Sequence, residues 1–416
     1  MDNNSVLVMI VGTGGKDNGN YLNILVKEIE KANSSNLLLI YSQNEISKKI
    51  VSKIYEQFGS VCTVKQFELP EKGMEFHADE CYKKFDNLLK EYADKRIVLN
   101  ITHGTKAMSA ALYAVGLHYN ITDFQYGTKK TNEDGSLDEC EEIIEIFDAS
   151  YARWQGILKQ CRTLFEAGQY AAVKGIISNE KTSLNEDSAR DCITLSEFCS
   201  AWDRFDYYTA LNKLDVMEKE IPELNYKYNS EIEEFLNILA EDEISIDRAK
   251  YLMFDLYANG RRRLKNAQYE DAGVRAYRMA ELLGQMYLMK NGYKSNQMPA
   301  RDSKVRSFAD LKGLRPEFEF YRLGRSQVID FLEQKLNYDP SVINFLRDIE
   351  RKVRDLRNQS ILIHGYTARA NSSEKLKSIF NDLLRKTKDF ITEKEFNRLL
   401  QSAMFLNNNF KVQNDE

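Results

Sequence analysis

The first third of the chain alternates short apolar runs with stretches of helical periodicity, and this alternation restricts the possible folds more than any other feature. Residues 6–11 are apolar throughout, and a glycine-rich stretch follows at 12–15. Such a run predicts a strand buried on both faces, which is typical of parallel sheets. Because similar runs and helical stretches follow in turn, the sequence predicts a parallel α/β sheet with helices on both faces. The predicted strands are 6–11, 37–41, 63–69, 96–101, 124–126 and 143–147, and the predicted helices are 21–32, 46–58, 75–92 and 107–119.

The rest of the chain is predicted to be helical, because strand patterns vanish after residue 150 and only five prolines occur in 416 residues. Arg261, Arg262 and Arg263 are interpreted as the solvated start of a long helical region, and residues 301–325 as a basic surface rich in loops. We expect an α/β domain at 1–150, a helical linker at 151–260 and an all-α domain at 261–416. The predicted helical stretches are 154–167, 171–177, 189–203, 207–219, 231–239, 247–258, 262–290 and two helices within 374–405.

Two loops of the predicted sheet are suited to bind an anion. One follows the first strand and the other follows the fourth strand, and ligands of parallel sheets bind beyond the carboxyl ends of the strands. Both loops offer backbone N–H groups near a helix N-terminus, which favours phosphate. We therefore predict a site for a nucleotide or oligonucleotide; the alternative is that the glycines only form tight turns. The candidate ligand-binding residues are Gly12, Thr13, Gly14, Gly15, Thr102, His103, Gly104, Thr105 and Lys106.

Several other classes of site are disfavoured by the sequence. The first loop reads Gly-Thr-Gly-Gly instead of G-x-G-x-x-G, and no acidic residue follows the second strand in a position to bind a ribose. The six cysteines form no C-x-x-C pair and the four histidines are scattered, so we predict no metal site and reduced thiols. The net charge of −5 argues against a general binder of polyanions. No signal peptide or membrane span is predicted, which favours a cytoplasmic protein.

A predicted helix near the C-terminus carries an arginine and a histidine in a suggestive spacing. Its apolar stripe runs through Ile349, Val353 and Leu356. Arg357 and His364 are seven residues apart, which is nearly two turns at about 3.6 residues per turn, so they share a face if the helix extends that far. Arginine holds phosphate in a bidentate manner and histidine moves protons near neutral pH, which suits RNA cleavage by its own 2′-OH. The alternative is a surface arginine and a histidine that interacts with the helix dipole.

Two motifs resemble known families. Arg357 and Asn358, five further residues, then His364 and Gly365 resemble the R-x4-6-H motif of HEPN ribonucleases, and residues 356–365 and 277–285 are similar to one subgroup of CRISPR-associated proteins. Residues 99–108 resemble the N-x-T-G-G-T-K-x-M signature of CARF domains, which sense cyclic oligoadenylates made by type III CRISPR complexes. His103 replaces the first glycine of that signature. Its side chain is expected to clash with the ligand, to stack on an adenine, to assist ring cleavage, or simply to point into solvent.

The resemblance covers the whole chain and implies a Rossmann-like CARF domain at 1–150, a helical linker and a HEPN domain at 261–416. It implies a homodimer with one composite site, in which Arg357 holds the scissile phosphate, His364 moves a proton and Asn358 orients either of them. The implied activity is a metal-independent endoribonuclease for single-stranded RNA in antiviral defence, with 2′,3′-cyclic phosphate products and no cofactor. Cyclic tetra- or hexaadenylate would activate it allosterically, and a secondary ring nuclease activity of the sensor is compatible with this function.

Two further hypotheses remain open at the level of sequence. One is a cyclic-nucleotide sensor whose helical domain binds RNA or protein without cleavage. The other is a nucleotide-dependent enzyme in the α/β domain, with a helical half that is only structural.

Overall fold

The computed structural model describes residues 2–14, 18–131, 137–179, 186–224, 226–359 and 373–408. Two compact units are present. The first comprises Met1–Ile157 with Glu180–Asn185, and the second comprises Leu158–Asn179 with Glu186–Glu416. The division falls inside helix α5 (Ser150–Glu166). None of the described helices is long and apolar enough to cross a membrane.

The first unit is built around one six-stranded sheet in the order β3-β2-β1-β4-β5-β6. The first five strands are parallel, and β6 returns antiparallel to β5. This confirms the predicted parallel sheet. The elements are β1 (Asp2–Val11), α1 (Asn18–Ala32), β2 (Ser34–Tyr41), α2 (Glu45–Phe58), β3 (Thr63–Glu68), α3 (Ala78–Leu89), β4 (Arg96–Asn100), α4 (Lys106–His118), β5 (Asp123–Thr131) and β6 (Leu137–Asp148).

The central strand β1 is buried on both faces because alternate side chains enter two separate apolar clusters. Phe85 of α3 and Leu112 of α4 belong to the cluster on one face. Leu25 of α1 and Ile54 of α2 belong to the cluster on the other face. Helices therefore cover both sides of the sheet, as its apolar strands predicted. The two clusters meet β1 through Val6, Val8 and Ile10 on one face and through Leu7, Met9 and Val11 on the other.

The second unit is helical. Its described residues also form two short two-stranded sheets and one isolated β-bridge. Its helices are α6 (Tyr170–Ser178), α7 (Glu186–Asp203), α8 (Tyr207–Val216), α9 (Ser230–Ala240), α10 (Ile246–Lys265), α11 (Tyr269–Lys290), α12 (Ser303–Lys312), α13 (Arg325–Gln334), α14 (Pro340–Gln359), α15 (Ser373–Lys386), α16 (Glu393–Ala403) and α17 (Phe405–Asn408). The β pairings join Glu220–Ile221 to Tyr226–Lys227 and Met298–Pro299 to Phe320–Tyr321, and Glu317 forms an isolated bridge with Phe320. The predicted fold class, an α/β domain followed by an all-α region, is confirmed.

The predicted helix at 262–290 is in fact two helices. Helix α10 continues to Lys265, and α11 begins at Tyr269. Between them Ala267 adopts a left-handed backbone conformation with φ of 55°, and the N–H of Gln268 donates to the carbonyl of Arg263 at 2.8 Å. This hydrogen bond satisfies a carbonyl group at the end of α10, and the left-handed conformation of Ala267 turns the chain sharply.

The interpretation of Arg261–Arg263 as a solvated helix start is wrong. These residues lie in the last turns of α10, and Arg262 is buried. Its Nε donates to Oδ1 of Asp203 at 2.8 Å, and Arg263 also donates to the Asp203 carboxylate. Asp203 ends α7, so one carboxylate joins two helices through two guanidinium groups. Removing one partner of a buried pair of this kind is strongly destabilising, by about 3–5 kcal/mol.

The basic segment at 301–325 is also more ordered than the sequence predicted. Residues Ser303–Lys312 form α12, capped at its N-terminus by the Asp302 side chain. Arg325 is not a free surface cation, because its guanidinium carbon lies 4.2 Å from the centre of the Tyr277 ring and its side chain is only 11% exposed. The Arg325 side chain thus packs α13 against α11.

Candidate functional site

The two predicted ligand loops lie side by side at the carboxyl edge of the sheet. Strands β1 and β4 are parallel neighbours, with Met9 opposite Asn100. A β-carbon on Gly12 would lie 3.2 Å from the backbone nitrogen of Gly104, so the loops are in direct contact. The chain also reverses its direction of strand addition between β1 and β4, and open α/β sheets bind ligands at such a switch point.

Glycine is required at two positions of these loops. The backbone φ is +70° at Gly14 and +87° at Gly104, a region that other residues rarely adopt. A β-carbon would lie 2.5 Å from Cδ1 of Tyr21 at Gly14, and 2.4 Å from Cγ2 of Ile10 at Gly104. Both separations are far below a van der Waals contact. The glycines therefore allow the two backbones to approach α1 and β1 closely. Gly15 lies outside the described residues.

The first loop is held by a tyrosine of α1. The hydroxyl of Tyr21 accepts a hydrogen bond from the N–H of Gly12 at 2.9 Å. The Tyr21 ring also meets the His103 ring edge to face, with centres 5.0 Å apart. One side chain of α1 thus contacts both loops and couples their positions.

His103 is turned toward the protein interior. Its Nε2 lies 2.7 Å from Oε2 of Glu28, and the exposed fractions of the two side chains are 10% and 0%. The expectation that this histidine simply points into solvent is therefore wrong. Since Nε2 is occupied by the carboxylate, the ring fixes the second loop to α1. The other oxygen of Glu28, Oε1, is buried and has no hydrogen-bond partner among the described residues.

Side-chain hydrogen bonds continue the network into β5. Asn100 accepts from the N–H of Thr102 at 3.0 Å and donates to Gln125 at 3.1 Å, and Gln125 donates to the carbonyl of Glu28 at 2.8 Å. The Thr102 hydroxyl accepts from the N–H of Gly127 at 2.8 Å. The second loop is consequently fixed at Thr102 by a partner on β5 and at His103 by a partner on α1.

Thr105 and Lys106 begin α4. The Thr105 hydroxyl caps the helix by accepting from the N–H of Met108 at 3.2 Å, and it donates to the carbonyl of Glu75. Lys106 is exposed at the first helical position. A cation beside a helix N-terminus makes this end of α4 attractive to an anion. Two of the three predicted hydroxyl groups, those of Thr102 and Thr105, are already engaged within the protein, whereas Lys106 faces solvent.

The predicted catalytic helix is α14. Ile349 and Val353 are buried, which confirms the apolar stripe as far as residue 353. On the outer side, Asp348 accepts hydrogen bonds from Lys352 and Arg351, both at 2.7 Å, and the bond from Lys352 is the main cause of a lowered pKa of Asp348. The helix therefore has one packed face and one ion-paired face.

Arg357 and Asn358 lie in the last turn of α14, which ends at Gln359. Their side chains are outside the described part of the chain, as are His364 and Gly365 altogether. The shared face of Arg357 and His364 therefore stays a prediction. No cluster of three or more histidine, cysteine, aspartate or glutamate side chains that could hold a metal ion occurs among the described residues.

The sequence analysis missed Tyr21, Glu28 and Gln125. All three are buried in the first unit, and none belongs to a recognised motif. One signal was present. Glu28 follows Tyr21 and Leu25 at helical spacing on the buried stripe of α1. An acidic residue on such a stripe indicates a buried partner, although the sequence does not identify it as His103.

Two family models match the chain. The model of the Csm6 HEPN domain matches residues 241–390, and the model of the Card1 CARF domain matches residues 21–142. No curated protein matches this sequence.

Solved structures provide a second comparison. Enterococcus italicus Csm6, solved bound to cyclic hexa-2′-fluoro-hexa-dAMP, has a TM-score of 0.59 at 14% identity, and the match covers 98% of this chain and 100% of that chain. Can2 from Sulfobacillus thermosulfidooxidans, solved in complex with cyclic tetra-adenylate, has a TM-score of 0.24 at 12% identity and covers 51% of this chain and 68% of that chain. The first likeness shows a shared fold, and the second is too low to carry an argument.

The α/β unit contains the matched CARF region, and the helical unit contains the matched HEPN region. Together the two domain matches and the shared fold confirm the resemblance of both motifs. The chain therefore combines a CARF domain of the Card1 type with a HEPN domain of the Csm6 type, the domain pair of CRISPR-associated CARF–HEPN proteins.

Proposed function

We propose that this protein is an endoribonuclease that cleaves single-stranded RNA after its CARF domain binds a cyclic oligoadenylate. The observation that carries the proposal is the match of residues 241–390 to the Csm6 HEPN domain, because that range contains Arg357, Asn358 and His364. The paired loops of the CARF domain support the sensor half. They present backbone N–H groups, two glycines with positive φ and the exposed Lys106 at one edge of the sheet.

The proposed chemistry uses side chains of the protein and the 2′-OH of the RNA, without a metal ion. Arg357 holds the scissile phosphate through two parallel N–H donors and stabilises the charge that develops on it. His364 moves a proton to or from the reacting oxygens, and Asn358 orients the histidine or the phosphate. Attack by the 2′-OH of the RNA breaks the bond to the 5′-oxygen and leaves a 2′,3′-cyclic phosphate.

One Arg357–His364 pair supplies few groups for in-line phosphoryl transfer. A homodimer would bring two such pairs to one composite site across a two-fold axis. Ligand binding would then act by favouring one arrangement of the dimer, to the extent that the ligand binds that arrangement more tightly. The proposed boundaries are a CARF domain at 1–150, a linker at 151–260 and a HEPN domain at 261–416.

Ring cleavage by the CARF domain is a secondary proposal, and His103 is not its favoured agent. Its Nε2 is bound to the buried Glu28, and its ring is nearly enclosed. A group that acts on a bound ligand has to reach the ligand, so we assign His103 the role of positioning the second loop.

The test is cleavage of a fluorescent single-stranded RNA in EDTA, with and without cyclic tetra- or hexaadenylate. We expect one of the two rings to raise the cleavage rate at least tenfold, and the products to carry a 2′,3′-cyclic phosphate. Absence of cleavage with either ring would contradict the proposal. Cleavage that needs added Mg²⁺ or Mn²⁺ would contradict the metal-free chemistry while leaving the sensor intact.

Replacing Tyr21 with phenylalanine is expected to weaken binding of the activating ring by about 2- to 10-fold, since one hydrogen bond contributes about 0.5–1.5 kcal/mol. The change removes the acceptor for the N–H of Gly12 and keeps the ring that packs against His103. Isothermal titration calorimetry measures the affinity. The matched control is Tyr55→Phe, because Tyr55 is half exposed on α2. Equal affinity of both variants would show that the Tyr21 hydroxyl does not hold the loop.

A further inference from the structure

A basic cleft in the HEPN region is not explained by the proposed catalytic residues. It is formed by the start of α10, the middle of α11 and residues 294–296, and its volume is about 290 Å³. This volume lies near the lower end of the range for small-molecule sites, about 300–1,000 Å³. Three cations line the cleft, Arg248, Arg278 and Lys294, and none of the described residues that line it is acidic.

The floor of this basic cleft is apolar. Leu252, Leu282 and Met289 contribute aliphatic or thioether surface from α10 and α11. A cleft that combines an apolar floor with several cations fits a ligand with one flat apolar part and one anionic part. A nucleotide has this composition, with the base as the apolar part and the phosphate as the anion.

Two of the three cations form ion pairs that a phosphate can replace. Arg278 pairs with Glu281 at 2.8 Å and Lys294 with Glu243 at 3.4 Å, and the Glu243 side chain is 79% exposed. Exposed pairs of this kind contribute at most about 1 kcal/mol and are easily exchanged for another anion.

Arg248 is placed differently, in the first turn of α10. The Ser245 hydroxyl accepts from its backbone N–H at 3.0 Å, and its Nε donates only to a carbonyl, that of Leu239 at 3.1 Å. A cation at a helix N-terminus is disfavoured by the helix dipole unless an anion accompanies it. Asp247 supplies one negative charge in the same turn and pairs with Lys250, and a phosphate in this basic cleft would supply another beside Arg248.

We propose that the basic cleft binds one nucleotide of the single-stranded RNA substrate, outside the cleavage site. The phosphate would contact Arg248, Arg278 and Lys294, and the base would lie on Leu252, Leu282 and Met289. The proposal rests on the proposed ribonuclease function. The floor offers dispersion contacts to any base, and the amide side chains of Gln285 and Asn296, which also line the cleft, offer hydrogen bonds to a base edge. The cleft serves to hold the strand outside the cleavage site.

The test measures binding separately from cleavage. A fluorescent 2′-O-methyl RNA lacks the nucleophilic hydroxyl, so fluorescence anisotropy reports its affinity for the full-length protein without cutting. The double variant Arg278→Ala/Lys294→Ala is expected to bind at least tenfold more weakly. The slope of log affinity against log salt should become shallower by about 0.7, since the cleft holds one phosphate and each neutralised phosphate of a single strand contributes about that amount.

The matched control is Arg190→Ala. Arg190 also forms a helical pair three residues apart, with Asp187 at 2.9 Å, but it lies on α7 and outside the cleft. Its removal should leave both the affinity and the salt slope at the wild-type values. A single variant, Lys294→Glu, reverses a charge on the surface and should weaken binding at least as much as the double variant.

The outcomes distinguish failure of the cleft assignment alone from failure of the proposed ribonuclease function. If wild type binds the RNA and the double variant binds it equally well, the cleft is not an RNA site, and the ribonuclease proposal is unaffected. If wild type binds no RNA, both proposals fail. If the variant loses mass by light scattering relative to wild type, the cleft is an interface between copies of the chain, and the RNA assignment is overturned.

Discussion

Replacing His364 with alanine is expected to lower the rate of RNA cleavage by about 10²- to 10⁴-fold, because general acid–base catalysis contributes an effect of that size. The affinity for cyclic oligoadenylate should stay unchanged, since the CARF match ends at residue 142. The measurement is the single-turnover rate of RNA cleavage at saturating activator, with activator affinity determined in parallel. Loss of cleavage with retained binding would assign His364 to the chemistry.

Arg357 provides a sharper test of the same site. Lysine keeps the charge but lacks the planar fork that holds phosphate through two donors. We therefore expect Arg357→Lys to retain part of the activity that Arg357→Ala loses. The control on the same helix is Arg351→Ala, whose side chain is 67% exposed and pairs with Asp348. If His364→Ala cleaves at the wild-type rate, residues other than His364 carry out the cleavage and the proposed role of His364 is wrong.

The sheet was predictable because the apolar residues of each strand indicate which of its faces are buried. An uninterrupted apolar run such as residues 6–11 is compatible with burial on both faces, and the structure divides it between two clusters. The placement of both ligand loops beyond the carboxyl ends of their strands also followed from the sequence, because ligands of parallel sheets bind at that edge. Local pattern was sufficient in both cases, since neither inference needed a specific distant partner.

The contacts that fix the loops were not predictable in the same way. His103 and Glu28 are 75 residues apart, and Asp203 lies 59 residues before Arg262. A charged residue has the same appearance in sequence whether it is solvated or buried against a partner. Arg262 was misinterpreted for this reason, because three consecutive arginines are typical of a solvated surface. Burial of such groups is decided by tertiary packing, which brings the compensating charge into contact.

The residues of the candidate site also differ in whether local sequence pattern identifies them. Positions that need a special backbone, such as Gly14 and Gly104, were identified by residue type and spacing. Residues that act through the identified ones, such as Tyr21 and Glu28, were not. The loop motif therefore predicts where a ligand binds, whereas α1 determines how rigidly the loop is held there.

Replacing Gly104 with alanine is expected to raise the activator concentration needed for half-maximal cleavage by at least 100-fold. The positive φ alone is unfavourable by about 1–3 kcal/mol for a residue with a side chain. In addition, the new β-carbon would lie 2.4 Å from Cγ2 of Ile10, which is fully buried in the central strand and has no room to move. The second loop must therefore leave its position beside Gly12, and the paired loops separate.

Gly73→Ala is the matched control for this change. Gly73 has a φ of +91°, close to that of Gly104, but a β-carbon there would meet no atom within 4 Å. It therefore introduces the backbone strain without the overlap, and activation should stay within a few-fold of wild type. Melting temperatures of both variants show whether each remains folded. Wild-type activation of a folded Gly104→Ala protein would mean that the close approach of the two loops is not what the activating ring recognises, and the ligand site would then have to lie elsewhere on the CARF domain.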